Sequence, residues 1–285
     1  MKVLITGANG QLGKDLVKLM SQVHEVFGFG REELDVSESE KCIDTIRKIR
    51  PDAIIHLAAY TAVDRAEIEE DRAYQVNAIG SRNVAVAAQE IGAKLCYVST
   101  DYVFDGTSSS PYKEYDATNP ISVYGKSKRA GELLVSSLCT TYFIVRTAWV
   151  YGKHGNNFVK TMLSLANEQQ TIKVVNDQIG SPTYTVDLAK FIVELIDTRK
   201  YGIYHATNTG TCSWYEFAKE IFKFSGMDVQ VEPCTTDEFP RLAKRPKNSV
   251  LDHMSIRVNG LTDLRHWKEA LFEYINASGS DPIQL

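Results

Sequence analysis

A chain of 285 residues with ordinary apolar (44%) and charged (24%) fractions can build one large α/β domain or two unequal ones. Its net charge of −4 argues against a nucleic-acid or membrane surface, and no apolar run approaches membrane-spanning length. The five cysteines, Cys42, Cys96, Cys139, Cys212 and Cys234, are odd in number and lack Cys-x-x-Cys spacing. That pattern predicts free thiols in a reducing cytoplasm rather than a disulfide or zinc framework. The histidines are scattered without metal-ligand spacing, so each reads as a structural histidine.

The opening residues read as a strand over 2–6, not as a signal peptide. Gly7, Gly10 and Gly13 follow in Gly-x-x-Gly-x-x-Gly spacing, and then a helix pattern runs through Leu16, Val17 and Met20. Between a strand and a helix, such a turn lets backbone approach a pyrophosphate, which the helix N-terminus then binds with free N–H groups. Further strands are predicted at 25–29, 52–57, 94–100 and 142–146, with helices at 38–50 and 71–91 between them. Strands alternating with helices imply a parallel sheet with right-handed crossovers, a Rossmann-like, doubly wound α/β fold. The second strand ends at Gly30-Arg31, where NAD enzymes of this fold commonly carry an acid for the ribose 2′-OH. Gly30 would leave room for a 2′-phosphate, Arg31 would bind it, and Glu32 and Glu33 would begin a solvated turn.

The chain turns on the stretch 98–128. The strand 94–100 stops at Ser99-Thr100-Asp101, a polar loop follows, and a helix signal starts near Ser122 and carries Tyr124 and Lys128. Residues four apart share a helix face, and an ammonium beside a phenol favours phenolate. Thr100 lies at the carboxyl end of a parallel strand, where open α/β sheets bind ligands. Tyr-x-x-x-Lys alone is weak: Tyr215 and Lys219 repeat it on an ordinary amphipathic helix, without the strand and loop before it.

After 151 the rhythm loosens. Helices are predicted at 157–166, 186–196 and 213–224, and strands at 171–175 and 202–206. Ser213 and Glu216 form a capping box. Residues 241–249 read as a basic loop, and the polar tail from Ala277 as frayed. The division expected is a dinucleotide-binding domain over 1–150, with strand and helix additions near 171–206, and a smaller, discontinuous substrate-binding region within 151–285.

Taken together, the glycine turn, His56-Leu-Ala-Ala-Tyr-Thr-Ala-Val-Asp64, Ser99-Thr-Asp-Tyr-Val-Phe104, Val123-Tyr-Gly-Lys-Ser-Lys128, Arg146-Thr-Ala-Trp-Val-Tyr151 and the segment 176–183 resemble the extended short-chain dehydrogenase/reductases, and within them the dTDP-4-dehydrorhamnose reductase family. The resemblance covers nearly the whole chain and implies an NADP(H)-dependent reductase of a dTDP-4-keto-6-deoxyhexose, with NAD(H) as the lesser cofactor. It implies that Tyr124 protonates the C4 oxygen, that Lys128 holds the nicotinamide ribose and lowers the tyrosine pKa, and that Thr100 hydrogen-bonds the reacting oxygen with Asp101 tuning the site. Gly7, Asn9, Gly10, Gln11, Leu12, Gly13, Arg31, Asp35, Val36, Ala58, Ala59 and Tyr60 would line the cofactor. Phe104, Trp149, Asn157 and Phe158 would meet the nucleotide sugar, joined by the loop 176–183 and by Arg241, Lys244 and Arg245. Some relatives bind Mg²⁺ at a dimer interface through carboxylates, one of them on the first helix. Asp15, shorter than glutamate, stands there, so Mg²⁺ and a homodimer stay open. Two rivals remain: an epimerase or dehydratase of the same superfamily, and a non-catalytic NADP-binding regulatory subunit.

Overall fold

The structure is a computed structural model that describes residues 1–278. Its centre is a six-stranded parallel sheet. The strands are β1 (Lys2–Thr6), β2 (Glu25–Phe29), β3 (Ala53–His56), β4 (Lys94–Thr100), β5 (Tyr142–Thr147) and the segment Gly202–His205. In space the order is Gly202–His205, β5, β4, β3, β1, β2, so the winding reverses between β1 and β3. A crevice at that reversal, beyond the carboxyl ends of the strands, is where such sheets take ligands.

Alternation along the strands explains the two cores. Val3, Ile5, Ala53, Ile55, Cys96 and Val145 face one side, against Leu12, Leu16 and Met20 of α1 (Gln11–Met20) and against Leu188 and Ile192 of the helix Thr185–Ile196. Leu4, Ile54, Leu95, Tyr97 and Ile144 face the other, against Cys42 and Ile46 of α2 (Ser39–Ile49) and the helices Ser81–Ile91 and Val123–Leu138. Strands buried on both faces read as continuous apolar runs, as these do.

The helix expected over 71–91 is three pieces: α-helix Glu70–Tyr74, a π-turn Gln75–Gly80, and α-helix Ser81–Ile91. The π-turn presents buried Asn77 to the chain just past β3.

A third core lies beyond the sheet, where Tyr151, Val159, Leu163, Phe217, Ile221, Trp267 and Leu271 pack together. Thr171–Val175 corrects an expectation: it does not extend the main sheet but pairs in parallel with Gln230–Cys234 in this smaller region. The partner strand carries Pro233, which breaks a strand pattern in sequence but is tolerated in a two-stranded edge. By contrast the helix Thr185–Ile196 and the strand Gly202–His205 return to the main sheet, as do Ile256 and Leu264. The helix Trp267–Ser278 runs through Ala277, and the rest of the tail expected to fray lies outside the described residues. No helix among the described residues is long and apolar enough to cross a membrane.

Candidate active site

At the phosphate turn, Gly7 has φ +68°, and a Cβ there would stand 2.7 Å from the Ala58 nitrogen. A Cβ on Gly13 would run into the carbonyl oxygen of Gly7. Only glycine permits this turn and the close seating of α1 on it. Gly10 caps α1 without a side chain, and no acidic residue stands in the first turn. The N–H groups of that turn therefore face the crevice with no side-chain acceptor at the cap, which fits a dinucleotide diphosphate.

From this turn a cavity of about 800 Å³ opens along the strand ends. At one end stand Arg31, Asp35, Val36, Ala58, Ala59, Tyr60 and Arg72; at the other stand Thr100, Asp101, Tyr124, Lys128, Thr147, Trp149 and Trp214. The cofactor residues named from sequence (Gly7, Asn9, Gly10, Gln11, Leu12 and Gly13) line the middle. Asn77 braces this wall: its Oδ1 accepts from Tyr60 N at 2.7 Å, and its Nδ2 donates to Tyr60 O at 3.1 Å and to Ser127 Oγ at 2.9 Å.

The end of β2 departs from expectation in two ways. The end of the Asn9 side-chain amide stands over Gly30, where the expectation had open space. Glu33 is exposed as expected, yet one carboxylate oxygen folds back and accepts from Gly30 N at 2.7 Å. Arg31 stays at the cavity edge, its side chain 72% exposed and its Nε 3.5 Å from Asp35 Oδ2. Burial pushes the Asp35 carboxyl up, but hydrogen bonds from Ser37 and Arg31 outweigh it and hold the group below its ordinary value.

At the reacting end, Ser122 caps the helix Val123–Leu138 by accepting from Gly125 N at 3.1 Å. The cap starts the helix so that Tyr124 and Lys128 share the face turned to β4. The Thr100 hydroxyl accepts from Tyr102 N at 3.2 Å and donates to Asp101 Oδ1 at 3.0 Å. Asp101 is 2% exposed, and burial raises its carboxyl to about 6, with the Ser249 and Thr100 hydroxyls pulling the other way. Lys128 donates to Val98 O at 2.8 Å and lies 4.1 Å from the centre of the Tyr97 ring. Burial lowers its ammonium to about 7, and Glu132 one turn on partly offsets this.

The expectation that Lys128 lowers the tyrosine pKa is not met. Burial raises the Tyr124 phenol to about 12; the Thr100 hydroxyl lowers it in part, and the Asp101 charge raises it. The ammonium is turned to the Val98 carbonyl and the Tyr97 ring, and burial dominates the phenol.

Trp149 leaves β5 with φ +47°, a backbone region that costs free energy for a bulky residue. Its ring stacks on Trp214 at 3.6 Å between centres and 10° between planes. Trp214, from the smaller region, was missed in sequence because it opens an amphipathic helix and reads there as core. Phe104 is a correction: it is wholly buried, stacked on Tyr112 at 4.2 Å, and does not line the cavity. Asn157 caps the helix Phe158–Ala166 and donates to Gln11 Oε1 at 3.0 Å, while Phe158 packs on Trp214 and Phe217; neither lines the cavity. Arg245 is held by Asp64 through two contacts of 2.8 Å. Tyr215 and Lys219 lie outside the cavity, as the missing strand and loop implied.

Among the described residues of this one chain, Asp15 stands in no cluster of metal-ligating side chains. Its Oδ1 lies 3.9 Å from His154 Nε2, while Asp187 and Glu273 are both bonded by Arg265. Among the described residues no group of three His, Cys, Asp or Glu is placed to hold a metal ion.

A doubly wound crevice that joins a glycine phosphate turn to a Thr-Tyr-Lys set is the architecture of a nicotinamide-dependent reductase. The chain belongs to the family described as RmlD substrate binding domain, which matches residues 1–279. It is 44% identical over 280 residues to the spore coat polysaccharide biosynthesis protein SpsK of Bacillus subtilis, covering 98% of each chain. It is 43% identical to the dTDP-4-dehydrorhamnose reductase of Aggregatibacter actinomycetemcomitans, covering 95% of this chain and 97% of that one. Among solved structures it resembles the dTDP-4-dehydrorhamnose reductase of Bacillus anthracis in complex with NADP (51% identity, TM-score 0.95, 97% of this chain and 99% of that one). A UDP-glucose 4-epimerase of Thermus thermophilus, at 20% identity and TM-score 0.85 over 99% and 100% of the two chains, shares the fold.

Proposed function

We propose that this chain reduces the C4 ketone of dTDP-4-dehydro-L-rhamnose to dTDP-L-rhamnose with NADPH. The observation that carries the reading is the meeting of Thr100, Tyr124 and Lys128 in the same cavity as the glycine turn. The nicotinamide, when bound, supplies the hydride. Tyr124 donates its phenolic proton to the C4 oxygen. A phenol held near 12 stays protonated at neutral pH and so is ready to act as the acid. Thr100 turns its hydroxyl from Asp101 to the same oxygen and fixes its position. Lys128, one helix turn on, would hold the nicotinamide ribose with its ammonium. Trp149 and Trp214 wall the sugar from water. The relatives' names support the dTDP-sugar class, and the NADP complex of the Bacillus anthracis protein supports the cofactor.

The test is turnover with dTDP-4-dehydro-L-rhamnose and NADPH. One cofactor oxidised per dTDP-L-rhamnose formed is expected. An isomerised sugar without net oxidation would make the chain an epimerase, and cofactor binding without turnover would make it a binding subunit.

A further inference from the structure

We propose that Thr147 is a specificity-determining residue, its hydroxyl holding the sugar hydroxyl next to the reacting carbonyl. The inference rests on the reduction described above and deepens it. Thr147 ends β5 directly beside Thr100, its Cα partner in the parallel register. One step back, the partners Val98 and Val145 both face the core that packs on α1. Side chains alternate along a strand, so the two threonines emerge on that same face, past the last apolar layer. Thr147 is 6% exposed, and its Oγ1 has no hydrogen-bond partner, yet the residue lines the cavity with Thr100, Tyr124 and Lys128.

A buried hydroxyl without a partner costs free energy that a ligand hydrogen bond recovers. Its neighbours are already engaged: Ser99 Oγ donates to Glu132 at 2.6 Å and Thr100 Oγ1 donates to Asp101 at 3.0 Å. Adjacent strands stand about 4.8 Å apart. A ketone oxygen and the hydroxyl on the next ring carbon lie closer together than that. Two threonines, each giving one hydrogen bond, can therefore straddle the pair. Thr100 takes the ketone oxygen with Tyr124, and Thr147 takes its neighbour. A substrate lacking that hydroxyl would leave Thr147 buried and unpaired, which is how a polar pocket rejects a deoxy analogue.

The test uses the full chain and two variants, Thr147→Val, which keeps the shape and removes the hydroxyl, and Thr147→Ser, which keeps the hydroxyl. For Thr147→Val, kcat/KM on dTDP-4-dehydro-L-rhamnose should fall about tenfold, equivalent to about 1.4 kcal/mol. Thr147→Ser should stay within about twofold of wild type, and the Kd for NADPH should not move in either variant. On the analogue without the neighbouring hydroxyl, wild type and Thr147→Val should perform alike. Undiminished activity of Thr147→Val on the parent sugar overturns the proposal, and so does an equal loss in both variants. A weakened NADPH Kd with sugar discrimination unchanged also overturns it, assigning the hydroxyl to the nicotinamide carboxamide. Absence of turnover by the wild type fails at the earlier step and removes the reduction itself.

Discussion

Tyr124 and Asp101 show how burial sets the chemistry of single groups. Tyr124→Phe removes only the proton donor, so kcat should fall on the order of 10²–10⁴-fold while NADPH binding is kept. Tyr215→Phe, the control from the cavity-free copy of the motif, should behave as wild type. Asp101 makes a separate prediction about stability. Its carboxyl stands at about 6 in the folded chain against an ordinary 3.8, because burial disfavours the charge. A raised folded value means that the native state binds the extra proton between the two values. The resulting stability is complete below about pH 3.8 and is lost as pH rises through about 6. At neutral pH the buried charge is then a cost of about 3 kcal/mol, since a difference of about two corresponds to roughly that at 1.36 kcal/mol each. Asp101→Asn keeps an acceptor for Thr100 and removes the charge. Its melting temperature should exceed wild type at pH 8, and the gap should close toward pH 4. A gap that widens in acid would show that the carboxylate is stabilised by partners rather than penalised by burial.

At the scale of elements, the π-turn Gln75–Gly80 carries a positioning role that no periodicity announces. It turns Asn77 so that one amide satisfies both backbone groups of Tyr60 and also meets Ser127, on the helix that carries Tyr124 and Lys128. One side chain thus links the cavity wall at Tyr60 to the helix that carries Tyr124 and Lys128. Asn77→Ala leaves the Tyr60 backbone unpaired in a partly buried place and should cost about 1–3 kcal/mol of stability. The NADPH Kd should rise as the wall at Ala58, Ala59 and Tyr60 loosens. Titration calorimetry beside a denaturant melt checks both effects. Asn77→Asp restores the acceptor for Tyr60 N but not the donors, so it should recover only part of the loss.

At the scale of the molecule, the prediction for cofactor choice belongs to the open end of the crevice, where β2 meets solvent. Arg31 is an exposed cation there, and among the described residues its ion pair is with Asp35, at 3.5 Å in a wet setting where such pairs are weak. A 2′-phosphate would draw the guanidinium away from Asp35 and bind it with charge-assisted hydrogen bonds. Arg31→Ala should raise the KM for NADPH by roughly tenfold, about 1.4 kcal/mol, and leave that for NADH nearly unchanged. Equal kcat/KM for the two cofactors in the wild type would sink the assignment. The other end of the crevice is closed only by the whole molecule, because Trp149 comes from the sheet and Trp214 from the smaller region.

What the sequence determined alone is what local chemistry encodes. Gly7 and Gly13 state a turn that only glycine makes, and alternating apolar strands with helices between them state a parallel sheet. A strand ending in Ser99-Thr100-Asp101 before a capped helix separates Tyr124 and Lys128 from their copy at Tyr215 and Lys219. All of these are relations within a few residues, or between one element and the next. Tertiary structure alone decided which side chains meet across long separations. Thr147 became a site residue because register sets it against Thr100, and Asn77 because a π-turn aims it at Tyr60. Trp214 joined the cavity through its stack on Trp149, while Phe104, close to Thr100 in sequence, was turned into a buried aromatic cluster. Lys128 shows the limit most plainly. Its spacing from Tyr124 was legible, but the direction of its ammonium was not, since a buried cation goes to whatever acceptor the packed chain leaves nearest, and here that is the carbonyl of Val98.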